Sequence, residues 1–251
     1  PRAFRLPLDH ALINRMGLNN DGAEVIAARI RATPRPADRP LGINIVKTHD
    51  PAILGEAGIE DFVASTRVLL PLADFVVLNV SCPNTTEGKT FESLEALAPL
   101  LDAVLGERER QGSDVPILVK VSPPAKVDFD PGGIDELVAL SLDRGVAGFV
   151  ATNTAADRAG LATPATTLEG IGRGGLSGAP LAARAEALVR HLYRTVGERA
   201  TIVGVGGIDS PEAAWRRIRA GAHLIEVYTG LVYEGPGLVR RVVRELAKDS
   251  R

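Results

Sequence analysis

The sequence predicts a parallel α/β fold, and three observations point there. Short apolar runs recur along the chain, each followed by glycine, proline or polar residues. Helical patterns fill the intervals between them. Polar residues stand at the carboxyl ends of the runs, the edge at which ligands bind in such folds. Alternation of this kind implies a parallel sheet with right-handed crossovers. Six βα units can be read from residue 41 onwards, whereas a closed (β/α)8 barrel needs eight. The expectation is therefore either an open doubly wound sheet or a barrel whose first two strands are missing. A start at Pro1, without methionine, favours the second.

In chain order, residues 1–40 carry no strong strand. They read as a loop, one helix over about 21–32 and the proline-rich turn Thr33-Pro34-Arg35-Pro36. Strands are expected at 41–46, 75–80, 117–122, 148–152, 201–205 and 224–228. Their near-continuous Val, Ile and Leu content suits strands buried on both faces. Pro83 cannot donate to a ladder, so the second of these strands must stop before it. Over 133–144, Ile134, Leu137, Val138 and Ser141 recur at the spacing of one helical face. Gly145 then supplies a left-handed stop. Ser210-Pro211-Glu212 opens a further helix, with Ser210 as N-cap, Pro211 in the first turn and Glu212 favourable to the dipole. Gly221 closes it, and a last helix spans about 236–248.

Composition narrows the function. The 251 residues fit one α/β barrel domain, and a hydrophobic content of 45% supports a large core. With 29 Lys+Arg against 31 Asp+Glu the net charge is −2, which argues against nucleic acid as a partner. The lone cysteine forms no internal disulfide, which suits a reducing, cytoplasmic setting. No apolar stretch approaches the ~20 residues needed to span a bilayer, and no signal peptide is visible. His10, His49, His191 and His223 show no metal-ligand spacing, so no metal is expected.

Polar residues interrupt the strand ends where aliphatics are expected: Asn44, Asn79, Lys120, the run Thr152-Asn153-Thr154, and the pair Tyr228-Thr229. One buried amide or ammonium is usually a satisfied structural group. Five at equivalent positions favour a shared ligand bed. Two glycine clusters, Gly172-Arg173-Gly174-Gly175-Leu176-Ser177-Gly178 and Gly204-Val205-Gly206-Gly207, each precede a helix and offer bare backbone N–H groups to a phosphate. Neither fits a P-loop or a dinucleotide fingerprint. Their place late in the chain matches the phosphate site usual in barrels. The thiol of Cys82 lies just past a strand end, flanked by Asn79 and Asn84. No histidine and aspartate accompany it in a triad order. Such a base suits proton abstraction from carbon beside a cofactor that takes the electrons.

These segments, taken with Asn14-Arg15-Met16-Gly17, Gly42-Ile43-Asn44, Asn79-Val80-Ser81-Cys82-Pro83-Asn84-Thr85 and Leu118-Val119-Lys120, resemble the dihydroorotate dehydrogenase family along essentially the whole chain. The resemblance implies an FMN-containing (β/α)8 TIM barrel, a single domain over 1–251 incomplete at its N-terminus. It implies oxidation of (S)-dihydroorotate to orotate in pyrimidine biosynthesis. Cys82 matches the catalytic base, and Lys120 the group that stabilises charge on the reduced flavin. Asn14, Asn79, Asn84, Asn153 and Thr154 match residues that hold orotate. Asn44, Asn79, Lys120 and Thr152 match contacts to the flavin ring and ribityl chain. Ser177, Gly178, Gly207, Tyr228 and Thr229 match its phosphate end.

The quinone-linked, membrane-associated class is the more similar one, through Asn14-Arg15-Met16-Gly17-Leu18-Asn19-Asn20. That implies a quinone acceptor and peripheral contact with the cytoplasmic face of the membrane through a segment ahead of Pro1. The class normally carries serine as its base, and cysteine is usual in the soluble class. Two other readings stand beside this one: another FMN barrel oxidoreductase acting on a pyrimidine-like substrate, and a non-redox phosphate-binding barrel enzyme.

Overall fold

The structure, a computed structural model, describes residues 1–81 and 91–248. In chain order these form β1 (Ala3–Leu6), β2 (Ala11–Asn14), α1 (Ala23–Ala32), β3 (Gly42–Ile45), α2 (Gly55–Leu69), β4 (Phe75–Asn79), α3 (Leu94–Arg110), β5 (Ile117–Val121) and α4 (Gly132–Asp143). There follow β6 (Gly148–Ala151), α5 (Ala165–Ile171), β7 (Gly175–Gly178), α6 (Ala182–Val196), β8 (Thr201–Val205), α7 (Pro211–Arg219), β9 (Leu224–Glu226), α8 (Thr229–Glu234) and α9 (Gly237–Leu246). The chain divides into two compact units. Gly17–Lys120 with Gly132–Gly148 form a central unit. Pro1–Met16, Val121–Pro131 and Phe149–Arg251 form a terminal one.

The central unit is built on the parallel strands β3, β4 and β5. Asn44 stands opposite Val77, and Asn79 opposite Lys120. Side chains alternate across a strand, so register fixes which residues share a face. Val76, Leu78, Ile117 and Val119 share one face with Ile43 and Ile45 and are buried. Helices α2 and α3 bury apolar residues at helical spacing, Phe62 and Leu69 on the first, Leu97, Leu101 and Val104 on the second. Burying one such side chain contributes about 1.5–3 kcal/mol. The face predicted for α4 is the one observed: Leu137, Val138 and Ser141 are buried. The Ser141 hydroxyl donates to the Leu137 carbonyl at 2.8 Å, which satisfies it inside the helix. Gly145 follows with φ +86°, the left-handed stop expected of it.

The terminal unit holds a three-stranded antiparallel sheet, β1-β2-β7, and the parallel pair β8–β9. The antiparallel sheet corrects two expectations. Residues 1–40 do contain strands. They escape a pattern search because β1 and β2 are four residues each, and only Leu6, Ala11 and Ile13 point inward, packed with Leu176. Gly175–Gly178 is likewise a strand rather than a turn leading directly into a helix; α6 begins only at Ala182, after a single 3₁₀ turn. Glycine is needed there because the backbones approach closely. A Cβ on Gly178 would lie 2.4 Å from the His10 carbonyl oxygen, and its φ is +106°.

The hairpin is held from two sides. The Tyr233 hydroxyl donates to the Leu6 and Ala11 carbonyls at 3.1 and 2.8 Å, and its ring stacks on His10. Asp9 accepts from the Ala162 and Thr163 amides. Burial works against the Asp9 charge, but the Thr163 hydroxyl and those amides outweigh it and hold the carboxyl below its ordinary range. A third correction concerns the strand expected at 224–228. It ends at Glu226, and Thr229 opens α8 instead. The Ser210 N-cap is as expected, its hydroxyl accepting from the Ala213 amide at 3.1 Å.

Candidate functional site

In the central unit, the strand register aligns three of the singled-out side chains. Asn44 lies opposite Val77, two residues before Asn79, and Asn79 lies opposite Lys120. Asn44, Asn79 and Lys120 therefore project from one face of β3-β4-β5, the face opposite the buried Ile43, Val76 and Val119. Asn44 is exposed, and Asn79 and Lys120 are half-buried. Two carboxamides and an ammonium on one sheet face form a hydrogen-bonding bed for a flat polar ligand. The Ser81 hydroxyl donates to the Lys120 carbonyl at 2.8 Å and fixes the end of β5 against the end of β4. Cys82 and Asn84 lie outside the described residues.

In the terminal unit, Thr152-Asn153-Thr154 follow β6. The Ala151–Thr152 peptide bond is cis. The Thr152 amide donates to Val205 and the Asn153 amide to Val121, at 3.0 and 2.8 Å. The Thr152 hydroxyl, buried, donates to the Asn153 carbonyl at 2.9 Å. The Asn153 carboxamide oxygen accepts from the Thr154 amide at 2.8 Å. Asn14 stands opposite Gly175 and donates to its carbonyl at 3.4 Å. A Cβ on Gly175 would lie 2.2 Å from the Thr154 hydroxyl oxygen, so Asn14 and Thr154 meet across this glycine. That hydroxyl is buried and has no partner among the described residues. An unmet buried hydroxyl costs roughly 1–3 kcal/mol, which suits a group that completes its bonding with a ligand.

A second cluster joins the glycine segments. The Thr229 hydroxyl donates to the Ser177 hydroxyl at 2.9 Å. Gly178, Gly207 and Gly230 line one small cavity with His10, Asp209 and Tyr233. Ser177, Gly178, Gly207 and Thr229 thus come together, with backbone and hydroxyl groups suited to phosphate oxygens. Tyr228 does not pack into this cluster: the residue is 74% exposed.

Sequence reasoning missed Arg217. It lies on α7 and is only 2% exposed. Its guanidinium donates to the carbonyls of Val205 (3.3 Å), Gly206 (2.9 Å) and Ala182 (3.1 Å). Its stem fills the space over Gly204, where a Cβ would lie 2.4 Å from Arg217 Cγ. Burial pushes its pKa down to about 10, which leaves it charged at neutral pH. The available signal was spacing, since Arg217 falls one turn after Ala213 and Ala214, on the inward face of α7.

No group of metal-ligating side chains exists among the described residues. Nor is any helix among them long and apolar enough to cross a membrane. In the terminal unit the hydroxyls and glycine amides suit phosphate oxygens, and in the central unit the carboxamides and ammonium suit a flat polar ring.

The family model described as dihydroorotate dehydrogenase matches residues 1–249. The chain is 47% identical over 248 residues to the dihydroorotate dehydrogenase (quinone) of Nocardia farcinica, covering 99% of this chain and 65% of that protein. It is 46% identical over 235 residues to that of Mycobacterium sp. strain KMS, covering 94% and 62%. The chain thus spans somewhat less than two thirds of the length of these curated relatives. Among solved structures, DHODH of Eimeria tenella in complex with ferulenol has a TM-score of 0.86 and 29% identity, with 99% of this chain and 69% of that one covered. The fold is α/β, as the strand–helix alternation predicts, and TIM-barrel-like, as the resemblance implies.

Proposed function

The chain belongs to the dihydroorotate dehydrogenase family, and from that premise we propose that its protein oxidises (S)-dihydroorotate to orotate in pyrimidine biosynthesis, with electrons passing through FMN to a quinone. The observation that carries the reading is the shared sheet face of Asn44, Asn79 and Lys120.

FMN, when bound, supplies the acceptor for the hydride leaving C6 of the substrate. Cys82 takes the C5 proton, and the electron pair of that C–H bond becomes the C5=C6 double bond. A thiol ionises nearer neutral pH than a serine hydroxyl and so serves here as the base. Asn14, Asn79, Asn84, Asn153 and Thr154 hold the substrate ring and carboxylate, the four carboxamides and the hydroxyl orienting C5 for proton loss. Asn44, Asn79, Lys120 and Thr152 hold the flavin ring and ribityl chain. The Lys120 ammonium offsets the negative charge that arrives with the hydride. Ser177, Gly178, Gly207, Tyr228 and Thr229 hold the phosphate, Tyr228 through its backbone. Residues 1–251 act as one FMN-binding domain, in a cytoplasmic protein that meets its quinone at the membrane surface.

Turnover with different acceptors tests this. Supplied with dihydroorotate and a short-chain ubiquinone, the protein is expected to form orotate, and not when fumarate or NAD replaces the quinone. Equal turnover with fumarate would overturn the acceptor; no orotate with any of the three would overturn the activity.

A further inference from the structure

Three carbonyl oxygens converge on one buried cation. Val205 ends β8, Gly206 opens the turn after it, and Ala182 is the first residue of α6; the Arg217 guanidinium bonds to all three. A trans peptide is planar, so its N–H points opposite to its C=O. Holding the Val205 oxygen therefore turns the Gly206 N–H away from Arg217, and holding the Gly206 oxygen does the same for Gly207. Gly206 and Gly207 have φ of +111° and +69°, values that glycine adopts freely. Gly207 also touches the start of α6: a Cβ there would lie 2.5 Å from the Ala182 Cβ. It also lines the cavity it shares with Gly178 and Gly230.

We propose that Arg217 is a positioning residue for a ligand's phosphate: by gripping these three carbonyls from behind, it aims the Gly206 and Gly207 amides and seats the start of α6 against them. The role rests on the reading of this turn as the flavin phosphate site. Two further arginines treat the other glycine segment in the same way. Arg15 donates to the carbonyls of Ile171 and Arg173, and Arg158 to those of Gly172 and Gly174. A guanidinium suits this task because its rigid fork reaches several oxygens at once; an ammonium on a flexible stem does not.

The test compares FMN with riboflavin, which lacks the phosphate, by quenching of flavin fluorescence on the full chain. The wild type is expected to prefer FMN. Arg217→Met is expected to lower FMN affinity roughly tenfold, the scale of one lost charge-assisted bond, while riboflavin affinity stays the same. Arg217→Lys is expected to fall between. Equal weakening toward both flavins, or an unchanged preference for FMN, would overturn the positioning role alone. A wild type that binds both flavins equally would overturn the phosphate reading of the turn and the role with it. If Arg217→Met does not fold, Arg217→Lys decides: its FMN-to-riboflavin ratio must drop.

Discussion

The two units present polar groups by different means. In the central unit, strand parity does it. Asn44, Asn79 and Lys120 are aimed because their alternate neighbours Ile43, Val76 and Val119 are buried. In the terminal unit, the groups presented are hydroxyls and glycine amides at the ends of short elements. The amides of the turn after β8 are aimed by Arg217, which holds that backbone from behind, and the Ser177 hydroxyl is held by the Thr229 hydroxyl. A sheet aims side chains as a by-product of burying its other face. A turn has no such face and needs dedicated scaffolding.

Lys120→Met should give the largest effect, because parity leaves no second cation on β3-β4-β5 to take its place. Flavin reduction by dihydroorotate is expected to slow by about 10²–10³-fold, the usual cost of one electrostatic stabiliser. Flavin content should persist, and thermal melting should stay within a few degrees. Stopped-flow absorbance reads the first; a wild-type rate would break the claim that the shared face is the reactive one.

Gly178→Ala comes next and attacks the terminal unit's backbone. Its φ of +106° and the 2.4 Å approach to His10 leave no room for a Cβ. A loss of about 3 kcal/mol is expected, read by urea denaturation. A variant as stable as wild type would mean that the β2–β7 approach is looser than described.

Thr154→Val sharpens the comparison, since it should move two observables in opposite directions. Removing a buried hydroxyl that lacks a partner should raise the stability of the ligand-free protein by about 1 kcal/mol. The same change should weaken orotate roughly tenfold, because the hydroxyl then has no bond to offer. A simultaneous fall in both would show that the hydroxyl is structurally satisfied.

The smallest effect belongs to a residue that is part of neither site. Glu107 on α3 is almost fully buried, and the bond from Arg67 holds its carboxyl below the ordinary range; burial opposes this, while Gln111 and Arg110 add to it. Its stabilising contribution is therefore complete above about pH 4.5 and is lost as pH falls through the lower folded value. Both arginines are more than half exposed, so screening limits the pair to about 1 kcal/mol. Glu107→Gln should be less stable than wild type at pH 7, and the gap should narrow as pH falls below about 4.5. A difference that does not change with pH would assign the effect to shape instead of charge.

Much of this was legible in the sequence. Five of the six strands of the βα alternation were placed to within one residue at either end, because runs dominated by Val, Ile and Leu leave little choice of partner or face. The exception, 224–228, ran long because Val227 and Tyr228 continue the apolar pattern while the chain is already turning into α8. The N-terminal hairpin was invisible because its strands are four residues long and pair with a glycine-rich strand far away in the chain. Local propensity cannot see such a partner. Polar strand ends announced themselves at Asn44, Asn79 and Lys120, since amides and an ammonium are out of place in apolar runs. Arg217 did not, because an arginine among Arg216 and Arg219 reads as part of a solvated face until the helix is rotated into place.

The central claim is that a substrate ring and a flavin ring share the bed of amides and ammonium described above. One measurement addresses it directly: the visible spectrum of the flavin-loaded protein, recorded without oxygen before and after one equivalent of dihydroorotate. The account predicts that the yellow absorbance bleaches and that one orotate appears per flavin bleached. A spectrum that stays oxidised, with no orotate formed, would contradict it.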